Sequence, residues 1–528
     1  MARTIRELNA EHWYRTGFYR TETLSQAMDR AVREHPHNQF HFHVGGVATT
    51  LTTAEIGRQG RRLAGALYTL GVRKGDVFAM QLPTRPETLV LYIAAIHAGA
   101  TLLPIVHTYG PAELGFILRA SRARWFAMPD RSGNIDFIER LAQAGELPDL
   151  ERTIVLGETA PPRGVLFSDL VLCATADFPA PAQHADEVCV LLYTSGTTAA
   201  PKGVQHTHNT IRAEWDIPFF DNRGPYLNPF PAGHIAGFNY MLRPMVCGVP
   251  MVLLDRWDAD LAAELVERHR VTQSGGTPFF LLSLIEAAER AGRDLSSLVH
   301  YGLGATGVSP EHVMLTEKYG FRGGRSYGLT EHSTVTKFEV DMPIERRAYT
   351  DGKLQPGSEV RIVDDNEHDL PRGAEGEILL RGPELFVGYT DPALNAASFT
   401  EDGWFRTGDI GTLDSDNYLT ITDRKKDIII RGGENISSRE VEDIVGRHPA
   451  VLEVAAVAMP DPRYGEKVCV FTILRPGTSL TFEALTAHCA TCGIAKHKIP
   501  EKLVIEADLP RTPSGKIKKA TLRARLRA

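Results

Sequence analysis

The sequence predicts an α/β protein: a large N-terminal domain of parallel-sheet α/β subdomains with a β-rich subdomain, followed by a small α+β C-terminal domain. Three observations predict it. Helix-period segments and short apolar runs alternate from about residue 51 to 330. Short strands separated by turns fill 351–422. The pattern changes again after DRKKD at 423–427. A chain of 528 residues also exceeds what one hydrophobic core supports, so two or more domains are required.

The elements follow in order. LTTAEIGRQGRRLAGALYTLGV (51–72) carries apolar residues at helix spacing and ends at Gly71. VFAMQLP is a short apolar run, as a buried parallel strand requires. ETLVLYIAAIHAGA reads as the next helix and TLLPIV as the next strand. VCVLLY (188–193) is another such strand. In the β-rich region SEVRIVDD, EGEILLRG and YLTITD read as strands. Beyond them, IIIRGG, SSREVEDIVGRH and VLEVAAVAMP give strand, helix, strand. The predicted boundary lies at 425/426, giving domains 1–425 and 426–528.

Composition excludes several classes. The net charge of −7 gives no electrostatic case for nucleic acid. No apolar stretch approaches 18 residues, so no membrane span is expected. Neither does the start, MARTIRELNAEHWYRTG, resemble a targeting segment. Six scattered cysteines suit a reducing cytosol, and a cytoplasmic location is expected. Cys489 and Cys492 form a CxxC with no second pair to complete a zinc site, and helix spacing explains them. Charge is uneven: from Asp427 onward 16 Lys and Arg face 12 Asp and Glu, against 42 and 53 before it. The last eighteen residues hold seven basic groups and no acid. They read as a solvated helix or as a basic lid that approaches a polyanion.

The segment TSGTTAAPKGV (194–204) carries chemistry. Glycine and hydroxyl residues directly after a strand suit an oxyanion, because positive-φ turns let successive N–H groups converge. Thr194, Ser195, Gly196, Thr197 and Thr198 supply donors, and Lys202 a point charge. Lys202 is followed by Gly203, so this is not the GxxxxGK[ST] phosphate loop.

This segment resembles the signature of the adenylate-forming superfamily, which includes acyl-CoA synthetases. The look is closest to cyclohexanecarboxylate and medium-chain acyl-CoA ligases. Four further motifs stand in that family's order. The family usually has Gly or Ser where this chain has Ala199, which disfavours φ > 0 by about 1 kcal/mol. By the likeness of YGLTE (327–331), Tyr327 stacks on adenine beside Gly328, Thr330 bonds the α-phosphate, and Glu331 ligates Mg²⁺. GWFRTGD (403–409) places Asp409 on the ribose hydroxyls, with Ile421 near the nucleotide. DRKKDIIIRGGENISSREVE (423–442) resembles the hinge and thioester motif. There Arg424 reaches the ribose, Lys426 is the hinge, and Gly432, Gly433 and Glu434 line the pantetheine tunnel. PRTPSGKIKK (510–519) supplies Lys516 as the adenylation lysine, which makes the C-terminal domain a mobile lid.

YGLGATGVSPEH contains Gly302, Gly304 and Gly307, a literal GxGxxG. A dinucleotide fold also wants an acid at the end of the next strand, and the nearest, Glu331, sits inside YGLTE. By the family likeness Gly304, Ala305 and Thr306 face the adenine instead. The acid pocket is implied to be lined by Gly302 and by His234, Ile235, Ala236 and Phe238 of NPFPAGHIAGFNY (228–240). His234 is either the family's pocket histidine or a packed aromatic. No Asp or Glu occurs from 229 to 240, which argues against an amino acid substrate.

The resemblance implies an ATP-dependent acyl-CoA ligase acting on an apolar alicyclic, aromatic or medium-chain acid, with Mg²⁺ and coenzyme A. An acid–AMP ligase that loads a carrier protein is the alternative. A non-catalytic relative is disfavoured by intact Lys202, Glu331, Asp409 and Lys516. The implied partners are the small-molecule acid, ATP and CoA, and a homodimer is left open.

Overall fold

The computed structural model describes residues 5–194, 201–216, 224–512 and 515–527. The helix expected after residue 51 spans Thr53–Leu70. Thr52 caps it in a reciprocal capping box with Glu55, and Gly71 closes it at φ +115°. The next expected elements fall at Val77–Met80, Pro86–His97 and Thr101–Pro104.

Among the described residues the N-terminal region holds two seven-stranded sheets. In the first, the order is Arg322–Arg325, His300–Leu303, Gln273–Gly276, Tyr226–Asn228, Met251–Leu254, Gln39–Val44, Val47–Thr52. In the second it is Gly203–Thr207, Val188–Tyr193, Thr101–Pro104, Val77–Met80, Trp125–Pro129, Arg152–Leu156, Gly164–Leu166. Both are parallel except for one antiparallel pair at an edge, 39–44 with 47–52 in the first and 188–193 with 203–207 in the second. One core joins the two sheets: Phe40 and Phe42 from the first, Phe78 and Met80 from the second, and Leu63, Leu91, Phe238 and Met241 from helices between them. Helices cover the outer faces too, around Leu265 and Leu281 on one side and Ile117 on the other. Strands buried on both faces are the reason these segments read as unbroken apolar runs.

The β-rich region is a four-stranded antiparallel sheet of Glu359–Val363, Gly376–Arg381, Phe405–Leu413 and Leu419–Arg424. A turn at 425–427 leads from it to the strand Ile429–Arg431. The C-terminal core forms around Ile429, Val441, Val451 and Val470. The sequence reading missed the strand Glu434–Ile436, a three-residue return of a Gly-Gly turn. The basic tail is only in part the solvated helix read from the sequence. Its helix spans only Lys519–Arg525, with Lys519 turned onto Glu442 at 2.7 Å and Arg523 onto Asp427 at 2.6 Å. With Arg511 on Glu453 and Arg525 on Glu506, four of the seven basic groups form ion pairs within this domain.

The C-terminal domain rests on the N-terminal region through Arg439–Asp351 at 3.8 Å and Arg447–Glu311 at 3.7 Å. No described helix is long and apolar enough to cross a membrane. Cys489 is buried and Cys492 exposed, and neither is in a disulfide.

Candidate active site

The loop that opens the site joins an antiparallel edge pair. Tyr193 lies opposite Gly203, and the N–H of Thr194 donates to the Lys202 carbonyl at 3.1 Å. Lys202 returns its N–H to the Thr194 hydroxyl at 3.4 Å, closing the loop's base. Ser195, Gly196, Thr197, Thr198 and Ala199 lie outside the described residues. Gly203 has no room for a side chain, since a Cβ would stand 2.5 Å from the Thr390 hydroxyl.

That close packing draws segment 387–390 alongside the strand Gly203–Thr207, through Gln205 N–H to Gly388 and Thr390 N–H to Gly203. Tyr389 is thereby placed to donate its hydroxyl to Glu331 at 2.6 Å, while the Lys202 ammonium sits 4.9 Å from its ring centre. Burial raises the Glu331 carboxyl, and Tyr389 and Lys202 pull it back. Thr330 is held by its carbonyl, which accepts from His206 Nε2 at 2.8 Å. Burial pushes His206 down to about 4, so its ring is a neutral donor.

YGLTE folds as the hairpin Tyr327–Leu329 with His332–Lys337. Gly328 is required there, because a Cβ would lie 2.0 Å from the Ser333 carbonyl. Tyr327 donates its hydroxyl to Asp409 at 2.6 Å. Asp409 and Arg424 face each other on paired strands, and Arg424 Nε reaches Asp409 at 2.5 Å. Asp409 is only 2% exposed, and its charge raises the Arg424 guanidinium. Ile421 sits in the β-rich core, its N–H donating to Asp351 at 2.8 Å. Asp351 in turn holds Arg325 at 2.7 Å.

Lys516 comes from the far end of the chain. Its carbonyl accepts from Thr512 N–H at 2.7 Å, and Gly515, at φ +83°, packs against Thr277 and Phe279. Burial, then the Arg424 charge, pushes the Lys516 amine down to about 8. Asp409, Lys426 and Asp427 act on it as well. Burial and then the Lys516 charge lower His234 to about 4. Lys516 therefore lies within electrostatic reach of His234 and of the Asp409–Arg424 pair. Lys426 is lowered by burial and by Arg424. Lys202, Arg424, Lys426 and Lys516 together outnumber Glu331, Asp409 and Asp427, an excess that suits a polyphosphate.

His234 caps the helix Ile235–Cys247, its Nδ1 accepting from Ala236 N–H at 3.3 Å. The neutral ring then carries its proton on Nε2 and can donate there. It stacks on Phe230 with centroids 5.8 Å apart. Ile235 and Phe238 are packed in the central core, Phe238 against Tyr92, while Ala236 is half-buried. Gly304 donates its N–H to Gly276, and a Cβ on it would lie 2.7 Å from the Ser326 carbonyl. Ala305 is left-handed at φ +64°, and Thr306 follows on the half-exposed strand end. The helix after this GxGxxG begins only at Pro310, so the glycines do not open a helix as a dinucleotide fold needs.

The structure keeps Gly432, Gly433 and Glu434 apart from this group. They form the exposed tip of the hairpin Ile429–Arg431 with Glu434–Ile436, with φ +61° and +91° at the glycines. Arg431 forks onto Glu501 at 3.0 Å and lies over Tyr464.

Three contributors escaped the sequence reading: Tyr389, His206 and Asp351. Each is a lone residue outside any motif, and only strand pairing brings it to the site. Among the described residues no three His, Cys, Asp or Glu converge to cage a metal. A single buried carboxylate, Glu331, fits a hard cation whose other oxygens come from phosphate.

The AMP-binding enzyme family matches residues 28–390, and the AMP-binding enzyme C-terminal domain matches 440–516. The chain is 37% identical over 475 residues to the medium-chain fatty-acid–CoA ligase of Escherichia coli (strain K12), covering 87% of this chain and 83% of that protein. It is 32% identical over 476 residues to the 2-hydroxy-7-methoxy-5-methyl-1-naphthoate–CoA ligase of Streptomyces carzinostaticus, covering 86% and 85%. The fold superposes on ATP-bound MatB from Rhodopseudomonas palustris with a TM-score of 0.83 at 26% identity, covering 96% of this chain and 99% of that one.

Proposed function

The chain belongs to the AMP-binding enzyme family and is an AMP-forming acid–thiol ligase; we propose that it converts an apolar alicyclic, aromatic or medium-chain carboxylic acid to its CoA thioester. The acid's carboxylate attacks the α-phosphorus of ATP, and pyrophosphate leaves. The CoA thiol then attacks the acyl carbonyl; AMP leaves and the thiol proton is lost.

The observation that carries this reading is Lys516, a buried amine from the opposite end of the chain that lies within electrostatic reach of His234 and the Asp409–Arg424 pair. In this arrangement Lys516 offsets charge on the α-phosphate and the incoming carboxylate. Asp409 accepts from the ribose hydroxyls, and Arg424 holds Asp409 in place. His234 donates from Nε2 to a carboxylate oxygen and orients it. Glu331, with phosphate oxygens, would hold Mg²⁺, which draws electron density from the phosphates when bound. The protein's contribution is positioning and charge rather than a nucleophile of its own.

The second half-reaction needs a different surface. Lys516 fills the site here, while Gly433 stands exposed and apart. Rotation about Lys426 exchanges one for the other. The lid domain is therefore 426–528, with the acid and nucleotide sites in 1–425.

One reaction tests the proposal. Purified protein is incubated with Mg·ATP, CoA and a pool of cyclohexanecarboxylate, benzoate, salicylate and fatty acids of several lengths, and products are weighed by mass spectrometry. An acyl-CoA mass from one of them is the expected result. Acyl-AMP without acyl-CoA would transfer the assignment to a carrier-protein ligase. Neither product from any acid would refute the ligase reading.

A further inference from the structure

A cavity of about 730 Å³ runs along one face of the first sheet. Its inner end is Gly302 and Ser326, and its outer end is Gly320, Arg322, Glu339 and Asp341, all exposed. Side chains alternate across a strand, so His300 and Gly302 share this face with their partners Arg322 and Gly324. The same face carries Tyr226, Met251 and Phe40 along the paired row. It is therefore the face covered by the helix Ile235–Cys247.

Two glycines shape the cavity. A Cβ on Gly302 would meet nothing within 4 Å, so the space in front of it is empty. A Cβ on Gly324 would collide with the Phe338 ring, which lies across that glycine and meets His300 edge-on at 4.5 Å. Phe338, Leu298 and Val340 give the channel apolar walls, whereas its mouth is charged: Arg322 and Lys337 against Glu339 and Asp341. From Gly302 to Val299 the strand covers about 10 Å.

We propose that this cavity is an open-ended outlet for the acid's tail, so that the protein takes long acids whose far end is polar and emerges among Arg322, Lys337, Glu339 and Asp341. This rests on the reading of Gly302 as a wall of the acid site. A closed apolar pocket would reject a terminal carboxylate, because a buried charge without a partner is costly. An open mouth with charges of both signs does not.

The test compares kcat/KM for acyl-CoA formation with hexanoate, dodecanoate and their α,ω-dicarboxylic counterparts. Dodecanedioate is expected within tenfold of dodecanoate, while hexanedioate falls more than a hundredfold below hexanoate. A loss beyond tenfold for dodecanedioate overturns the outlet while leaving the ligase reading intact. Absence of acyl-AMP with every acid would instead refute the ligase reading, and the outlet with it. Gly302→Leu is expected to lower the dodecanoate-to-hexanoate ratio of kcat/KM at least tenfold, and an unchanged ratio counts against the outlet. A second measurement needs no variant: a long acid with a photoreactive diazirine at its far end should label residues 320–322 or 339–341. Labelling confined to 234–240 overturns the proposal.

Discussion

Lys516 shows how one side chain ties chemistry to pH. Burial and Arg424 hold its amine near 8, below the ordinary 10.5. Its charge, on which the proposed adenylation role depends, is present below that pH and lost as pH rises through it. The kcat/KM for acyl-AMP formation is expected to fall above about pH 8, because this parameter reports the free enzyme. The limb in kcat should lie higher, since bound phosphate favours the charged form. Coincident limbs in a pyrophosphate-exchange profile would argue against Lys516 as their source. Lys516→Ala should remove acyl-AMP formation and spare thioester formation from supplied acyl-AMP, and equal loss of both halves would deny it the role. Ala199 is the other informative residue. Its departure from the family pattern is small in volume, so Ala199→Gly is expected to change activity less than tenfold. A larger gain would mean that alanine disables the loop, worth more than about 1.4 kcal/mol of barrier.

At the scale of elements, the site is made by one strand's neighbours. Gly203–Thr207 pairs with Val188–Tyr193 on one side and takes segment 387–390 on the other. This pairing delivers Tyr389 to Glu331 and His206 to Thr330. His206 is thus a positioning residue. His206→Phe leaves the Thr330 carbonyl without its donor, at a cost of about 1–3 kcal/mol. The expected outcome is a kcat for adenylation lowered at least tenfold with KM for the acid little changed. His206→Gln, which restores an N–H, should recover part of it. A fall in melting temperature with kcat intact would mark His206 as structural only.

At the scale of the molecule, the proposed two-step reaction requires the C-terminal domain in two positions. Among the described residues its contacts with the N-terminal region include the ion pairs Arg439–Asp351 and Arg447–Glu311, hydrogen bonds from Ser437 to Thr422 and from Ser438 to Asp423, and a loop resting on Thr277 and Phe279. The exposed Arg447–Glu311 pair is worth little, whereas Arg439–Asp351 is largely buried. The proposed hinge lies in the turn at 425–427. Lys426→Pro restricts φ there. It is expected to retain acyl-AMP formation and slow CoA transfer at least tenfold in single-turnover measurements. Equal rates for transfer in the variant and the parent would exclude a hinge at this position.

The sequence by itself determined the fold class and named most of the candidate site. Helix period and Gly71 mark the helix read across 51–72, which spans Thr53–Leu70, because these signals are local. The family motifs likewise name Lys202, Glu331, Asp409, Arg424 and Lys516 from contiguous stretches. Tertiary structure alone decided what non-local pairing controls. It set Tyr389 on Glu331, Asp351 on Arg325, and the tail cations on Glu442 and Asp427 rather than in water. It also brought Lys516 within electrostatic reach of the Asp409–Arg424 pair and left Gly433 on an exposed hairpin tip. Such contacts depend on strand register and domain docking, which join residues far apart in the chain, and no local pattern of residues records them.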